Sequence, residues 1–156
     1  MVIQNSIIHV RQPLDGQQTM ITTNGREDNR KNTPIVIHNC SIIPTPEFKV
    51  HSSVKTHLGK PWKKYARTII MQSYKDDFIN PEGWMKFNES SNVTTLYYVE
   101  FWKSGPGSNT SGRVKWPGYH NLNNPNDVKD FTAEKFTNGN EWLPKFDVPY
   151  SGGLVR

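Results

Sequence analysis

Val36-Ile37-His38-Asn39-Cys40-Ser41-Ile42-Ile43 is a β-branched, apolar run broken by a turn former, and it has a near copy upstream in Val2-Ile3-Gln4-Asn5-Ser6-Ile7-Ile8. Matching the apolar ends of the two copies gives the second one inserted residue. Val and Ile lose side-chain freedom in a helix and suit a pleated strand, whereas Asn favours a turn. A strand–Asn–strand unit that recurs reads as one coil of a parallel solenoid, with equivalent apolar residues stacked inside and Asn recurring at one corner. A β-sandwich also supplies short, evenly spaced strands. On this pattern alone the two architectures are equally good.

Outward from the repeat, apolar alternation marks strands over residues 2–10, 19–23, 34–43, 68–72 and 94–101, separated by Gly, Pro and Asn. No helical period stands out in the first hundred residues. Beyond Phe101 the chain turns rich in Gly, Pro and Asn. It then offers a short helix over 130–136 and ends in Trp142-Leu143-Pro144. This last part reads as a tail folded back over the strands.

The chain has 156 residues, enough for one domain with its own core. Its 18 aromatics, five Trp, six Tyr and seven Phe, supply the buried surface that a disordered chain lacks. A net charge of +5 suits a polyanionic partner: nucleic acid, anionic lipid or acidic polysaccharide. The basic residues are scattered apart from Lys60, Lys63 and Lys64, and no nucleic-acid-binding signature accompanies them, so nucleic acid is set aside. No apolar run reaches the roughly 20 residues of a membrane span, which sets a membrane aside. The single cysteine, Cys40, excludes an intrachain disulfide and a thiolate metal cluster and reads as a small buried hydrophobe. Met1-Val2-Ile3-Gln4-Asn5 has the form of the middle of a fold and not of a signal peptide.

The most specific stretch is Thr56-His57-Leu58-Gly59-Lys60-Pro61-Trp62-Lys63-Lys64-Tyr65-Ala66-Arg67-Thr68-Ile69-Ile70-Met71-Gln72-Ser73. It resembles the LGRPW, SRTV and MQS region of the plant pectinesterases, or pectin methylesterases. Gly16-Gln17 through Gly25-Arg26, Asn32-Thr33, Pro81-Glu82-Gly83-Trp84, Gly105-Pro106-Gly107, Arg113 through Tyr119 and Trp142-Leu143-Pro144 follow in family order. The resemblance covers essentially the whole chain as the C-terminal part of one catalytic domain. It implies an all-β fold: a right-handed parallel β-helix (the pectin lyase-like solenoid), truncated at its N-terminal end, with a C-terminal tail of loops and short helix.

The resemblance also implies a chemistry, hydrolysis of the C6 methyl ester of polygalacturonate to pectate and methanol. The family reaction needs no metal or cofactor: one aspartate attacks the ester carbonyl, a second protonates methanol, and glutamines stabilise the oxyanion. Nothing in this sequence matches the aspartate-bearing QDTL and VDFIFG motifs, so no catalytic residue is assigned and the chain alone is expected to be inactive. The adjacent Asp76 and Asp77 read as solvated turn acids, since neighbouring side chains on an extended segment point apart. No Gly-x-Ser-x-Gly elbow supports a serine esterase.

Three residues are expected to bind substrate: Lys60, Trp62 and Trp84. Lys60 stands where the family has arginine, keeping the charge but not the planar fork that fixes a carboxylate. Trp62 stands where the family's cleft tryptophan stacks on a sugar ring. His57 reads as an exposed or satisfied histidine, and Gly25-Arg26 as a structural turn with an ion pair. Four Asn-x-Ser/Thr sequons occur, at Asn39, Asn88, Asn92 and Asn109; Asn39 is expected to be buried and the others to lie in turns. By resemblance the partners are pectin (homogalacturonan) and a proteinaceous pectinesterase inhibitor, the location is the cell wall after secretion, and the chain is a monomer. Two readings compete with that of a pectinesterase part: a non-catalytic pectate-binding fragment, and a truncated product whose open solenoid end leaves it without stable function.

Overall fold

The computed structural model describes residues 1–51, 54 and 56–155. Ten short strands form three sheets in which every strand pair is parallel. Strands β1 (Val2–Gln4), β4 (Ile35–His38), β7 (Arg67–Met71), β9 (Tyr97–Phe101) and β10 (Tyr119–Leu122) make the first sheet in that order. The second contains β2 (Ile7–Val10), β5 (Ser41–Pro44) and β8 (Tyr74–Lys75), and the third β3 (Met20–Asn24) and β6 (His57–Pro61). The chain visits the three sheets in turn and stacks each strand on its counterpart from the coil before, which is a parallel β-helix and not a sandwich.

The repeat stacks in register with no insertion. Val2 pairs with Val36, Gln4 with His38, Ile7 with Ser41 and Ile8 with Ile42, so Asn5 meets Asn39 and Ser6 meets Cys40 at one constant offset. The inserted residue inferred from the apolar ends is therefore wrong, because Ile7 faces outward and is not the counterpart of Ile42. The predicted strands over 2–10 and 34–43 are each two strands joined at a left-handed corner, Asn5 and Asn39 with φ of 52°, and the same turn recurs after β7 and β9 with φ of 52° at Gln72 and 40° at Trp102. Asn tolerates this conformation better than most residues. The Asn39 side-chain amide donates to Asn5 Oδ1 at 2.8 Å, linking two coils. Asn39 is thus exposed at a corner, contrary to its expected burial.

Alternation within the strands sends Ile37 and Ile70 into the coil interior, with Cys40, Ile42, Leu58, Trp84 and Tyr98. Val36, Ile69, Met71, Val99 and Phe101 face the other way and are covered by Val128, Phe131 and Phe136 of the tail. Covering both faces of a parallel sheet accounts for near-continuous apolar runs such as Thr68-Ile69-Ile70-Met71. The tail holds a 3-10 turn (Lys129–Phe131), then α2 (Ala133–Thr137) and α3 (Gly139–Trp142), so the anticipated helix over 130–136 is broken at Thr132, whose backbone is extended. A six-residue helix α1 (Pro46–His51) and strands β6, β8 and β10 were not anticipated.

A glutamine clamp pins the chain's last segment to this sheet. Gln4 exchanges two hydrogen bonds with the Ser151 backbone, and Gln72 does the same with Val155. His38 lies between them, its Nδ1 accepting from Gln4 at 2.9 Å and its Nε2–H donating to Gln72 Oε1 at 2.8 Å. Burial pushes its pKa down, in keeping with a neutral imidazole.

Candidate functional site

The motif around Lys60 and Trp62 folds as β6 and the turn after it. Gly59 is dictated by close packing: a Cβ there would lie 2.3 Å from Thr22 Oγ1 and 3.2 Å from the Trp84 ring. The space it leaves lets Thr22 Oγ1 donate to the Leu58 carbonyl at 2.9 Å. Register places Lys60 beside Thr23 and Pro61 beside Asn24, and the Trp62 N–H donates to the Asn24 carbonyl at 3.1 Å. The chain then exits the sheet with the Trp62 indole laid over Gly25, where a Cβ would come within 2.9 Å of the ring.

Trp62 is 58% exposed, far too open for a core residue of its size. Lys60 Nζ lies 5.2 Å from the Phe87 ring centre, a cation–π contact, and Phe87 is itself 43% exposed. Trp62, Phe87, Lys63, Lys64, Asn88, Ser90, Ser91 and Asn92 border an open cavity of about 300 Å³. The one carboxylate in its lining is Glu27, which pairs with Lys63 at 3.5 Å. Aromatic faces, amide and hydroxyl groups and excess positive charge suit an acidic sugar chain. They supply no pair of carboxylates for acyl transfer.

The other expected site residues lie elsewhere. Trp84 is wholly buried, bridged to Gly59 and stacked on Tyr98 with ring centres 4.3 Å apart, so it has no face for a sugar and leaves the binding set. The Trp of a Gly-Trp pair on a strand-like segment stacks inside the coil just as readily as it lines a cleft. His57 is neither exposed nor satisfied: it is buried, its Nδ1 has no hydrogen-bond partner among the described residues, and burial lowers its pKa. Arg26 is structural as expected, yet it binds the carbonyls of Asn29, Lys31 and Tyr65 instead of forming the anticipated ion pair. Cys40 is buried and its thiol pKa is raised by burial. Asp76 pairs with Lys49 at 3.8 Å while Asp77 faces solvent. Among the described residues no group of three or more His, Cys, Asp or Glu could hold a metal ion, and no helix is long and apolar enough to cross a membrane.

Phe87 was missed because a lone aromatic in a polar loop carries no pattern. Sequence reading also missed a buried charge cluster. Glu100 accepts from Arg113 Nε at 2.8 Å, from Arg113 Nη2 at 3.3 Å, from the Tyr119 hydroxyl at 3.1 Å and from Lys75. Lys75, Glu100 and Arg113 are all essentially inaccessible. Two cations share one carboxylate, so Glu100 remains ionised despite its burial and its pKa falls. Lys75 gets only part of that compensation, and desolvation lowers its pKa to about 8.

A pectinesterase family profile matches residues 1–140. The chain belongs to the pectinesterase family. It is 46% identical over 154 residues to pectinesterase 2 of Citrus sinensis, covering 98% of this chain and 30% of the relative. It is 43% identical over 155 residues to the probable pectinesterase/pectinesterase inhibitor 20 of Arabidopsis thaliana, covering 99% of this chain and 28% of that protein. Among solved structures, pectin methylesterase from carrot superposes with a TM-score of 0.95 at 42% identity, over 98% of this chain and 48% of the carrot chain. A pectin methylesterase from Aspergillus niger aligns less fully, with a TM-score of 0.53 at 32% identity over 66% of this chain. The pectinesterase chain described here therefore spans less than a third of these two plant relatives and about half of the carrot structure.

Proposed function

We propose that this chain forms the sugar-binding wall of a pectin methyl esterase cleft, and that by itself it binds demethylated polygalacturonate without hydrolysing esters. The observation that carries the reading is the open cavity bordered by Trp62, Phe87, Lys63 and Lys64, with Lys60 against Phe87. Trp62 offers a flat apolar face to a sugar ring, and the lysines offer point charges to galacturonate carboxylates. Family membership makes methyl-esterified pectin the substrate class of the whole site. Neither the attacking carboxylate nor its acid partner has a candidate at the cavity: Glu100 is locked between two cations, and Glu27 is the one acid in the cavity lining. The cell wall as location, a proteinaceous inhibitor as partner and a monomeric chain belong to the same proposal.

The test is a titration of the purified chain with a pectate oligosaccharide, followed by tryptophan fluorescence or calorimetry. Binding should weaken about tenfold in Trp62→Ala, the loss of one central aromatic contact, and should weaken with added salt. A folded chain that does not bind pectate would refute the reading, as would binding that Trp62→Ala leaves unchanged.

A further inference from the structure

The cavity's far rim carries two of the four sequons, Asn88 and Asn92, and the four asparagines differ in what the fold leaves free. Attachment of a glycan replaces one of the two side-chain amide hydrogens by a sugar, so an asparagine whose Nδ2 already bridges two coils is a poorer acceptor in the folded protein than one whose Nδ2 is free. Asn39 is committed: its Nδ2 donates to Asn5 Oδ1, and the other two members of its sequon are buried Cys40 and Ser41 of β5. Asn109 is exposed and its Oδ1 accepts from the Ser111 N–H, but the Ser111 hydroxyl makes no contact with it among the described residues.

Asn92 has a different arrangement. It is exposed, and its Oδ1 accepts from both the backbone N–H of Thr94 at 2.9 Å and the Thr94 hydroxyl at 2.7 Å. Its Nδ2 makes no hydrogen bond among the described residues. The sequon hydroxyl is thus held on the amide oxygen, polarising the amide, in an exposed residue whose nitrogen is not engaged among the described residues. Asn88 shares part of this, but its Oδ1 is divided between the hydroxyls of Ser90 and Ser91, and the residue between Asn88 and Ser90 is the acidic Glu89. Thr94 is β-branched, so its hydroxyl is restricted to fewer rotamers than a serine's.

We propose that Asn92 is an N-glycan acceptor and that its glycan stands on the rim of the Trp62–Phe87 cavity. The bond formed joins Asn92 Nδ2 to C1 of a sugar. The bond broken joins that C1 to the pyrophosphate of a polyprenyl-linked oligosaccharide donor, which departs as the polyprenyl pyrophosphate while the amide proton passes to the transferase's base. The site requires passage through the secretory pathway, as the cell-wall reading above does. Because Asn92 borders the same cavity as Trp62, a glycan there narrows access for a polysaccharide from that side.

The experiment is expression of the full chain behind a secretory leader in yeast, with intact mass and peptide mapping before and after peptide N-glycosidase. Wild type should carry glycan at Asn92. Asn92→Gln should lower glycan occupancy at least tenfold, and so should Thr94→Val, which keeps Asn92 and removes the hydroxyl. Asn39→Gln should leave the glycan in place. Secreted wild type without glycan, or full glycan mass in Asn92→Gln, overturns the assignment. The glycan-free Asn92→Gln protein should bind pectate a few-fold more tightly than glycosylated wild type, and equal affinity of both forms overturns the rim placement. If neither form binds pectate, the cavity's function fails while the mapped site still decides the modification.

Discussion

Replacing Lys75 by methionine should make the chain more stable at neutral pH, and the gain should vanish in alkali. Lys75 is wholly buried on β8 beside Ile42, and its ammonium shares the single carboxylate of Glu100 with Arg113. In the folded chain it gives up its proton at about pH 8, against 10.5 when solvated. Between those values the unfolded state holds the extra proton, so wild-type stability gains from this group as pH rises and the cost is greatest below pH 8. The interval corresponds to about 3 kcal/mol, in the range found when buried ion pairs are replaced by apolar groups. Methionine has a similar length and leaves Glu100 paired with Arg113 and Tyr119, so no orphaned charge results. Denaturant titrations of both proteins from pH 7 to 10.5 should show a difference near 3 kcal/mol that closes toward the alkaline end. A constant difference, or a variant less stable than wild type at pH 7, would refute the reasoning. Glu100→Gln should behave oppositely, losing about 3–5 kcal/mol because two cations are left buried without an anion.

Three further outcomes follow from the packing. Gly59→Ala should cost about 1–3 kcal/mol in a thermal melt, since the added Cβ meets Thr22 and Trp84. Stability should begin to fall as pH drops below 6.5, because His38 is held neutral when folded and takes up a proton when unfolded. A His38→Gln variant should have a shallower slope between pH 6.5 and 5, measured by urea titration. Gln72→Ala should release the end of the chain, seen as faster hydrogen exchange at Val155 with little change at Val99.

The repeat at residues 2–8 and 36–43 showed the strands and the Asn corner, because β-branched runs and a turn former are local signals. It did not show the register, since aligning Ile with Ile ignores which face each one takes. Strand β6 was hidden by Gly59 and Pro61, which read as turn residues although the first is there for close packing and the second ends the strand. Lys60 and Trp62 were singled out by their motif, and the fold leaves Trp62 exposed at the cavity with Lys60 against Phe87. Trp84 came with the same kind of signal and proved to be core, because a motif records that a tryptophan is present and not which way it faces. The Lys75–Glu100–Arg113 cluster is assembled from three separate strands and loops, and no local pattern announces it.

The central claim is that this chain holds sugar-binding residues of a pectinesterase cleft without its ester-hydrolysing carboxylates. Methanol release from highly methylated pectin by the purified, folded chain tests it most directly. The account predicts release no faster than the blank in a sample that binds pectate. Sustained turnover above the blank would contradict it.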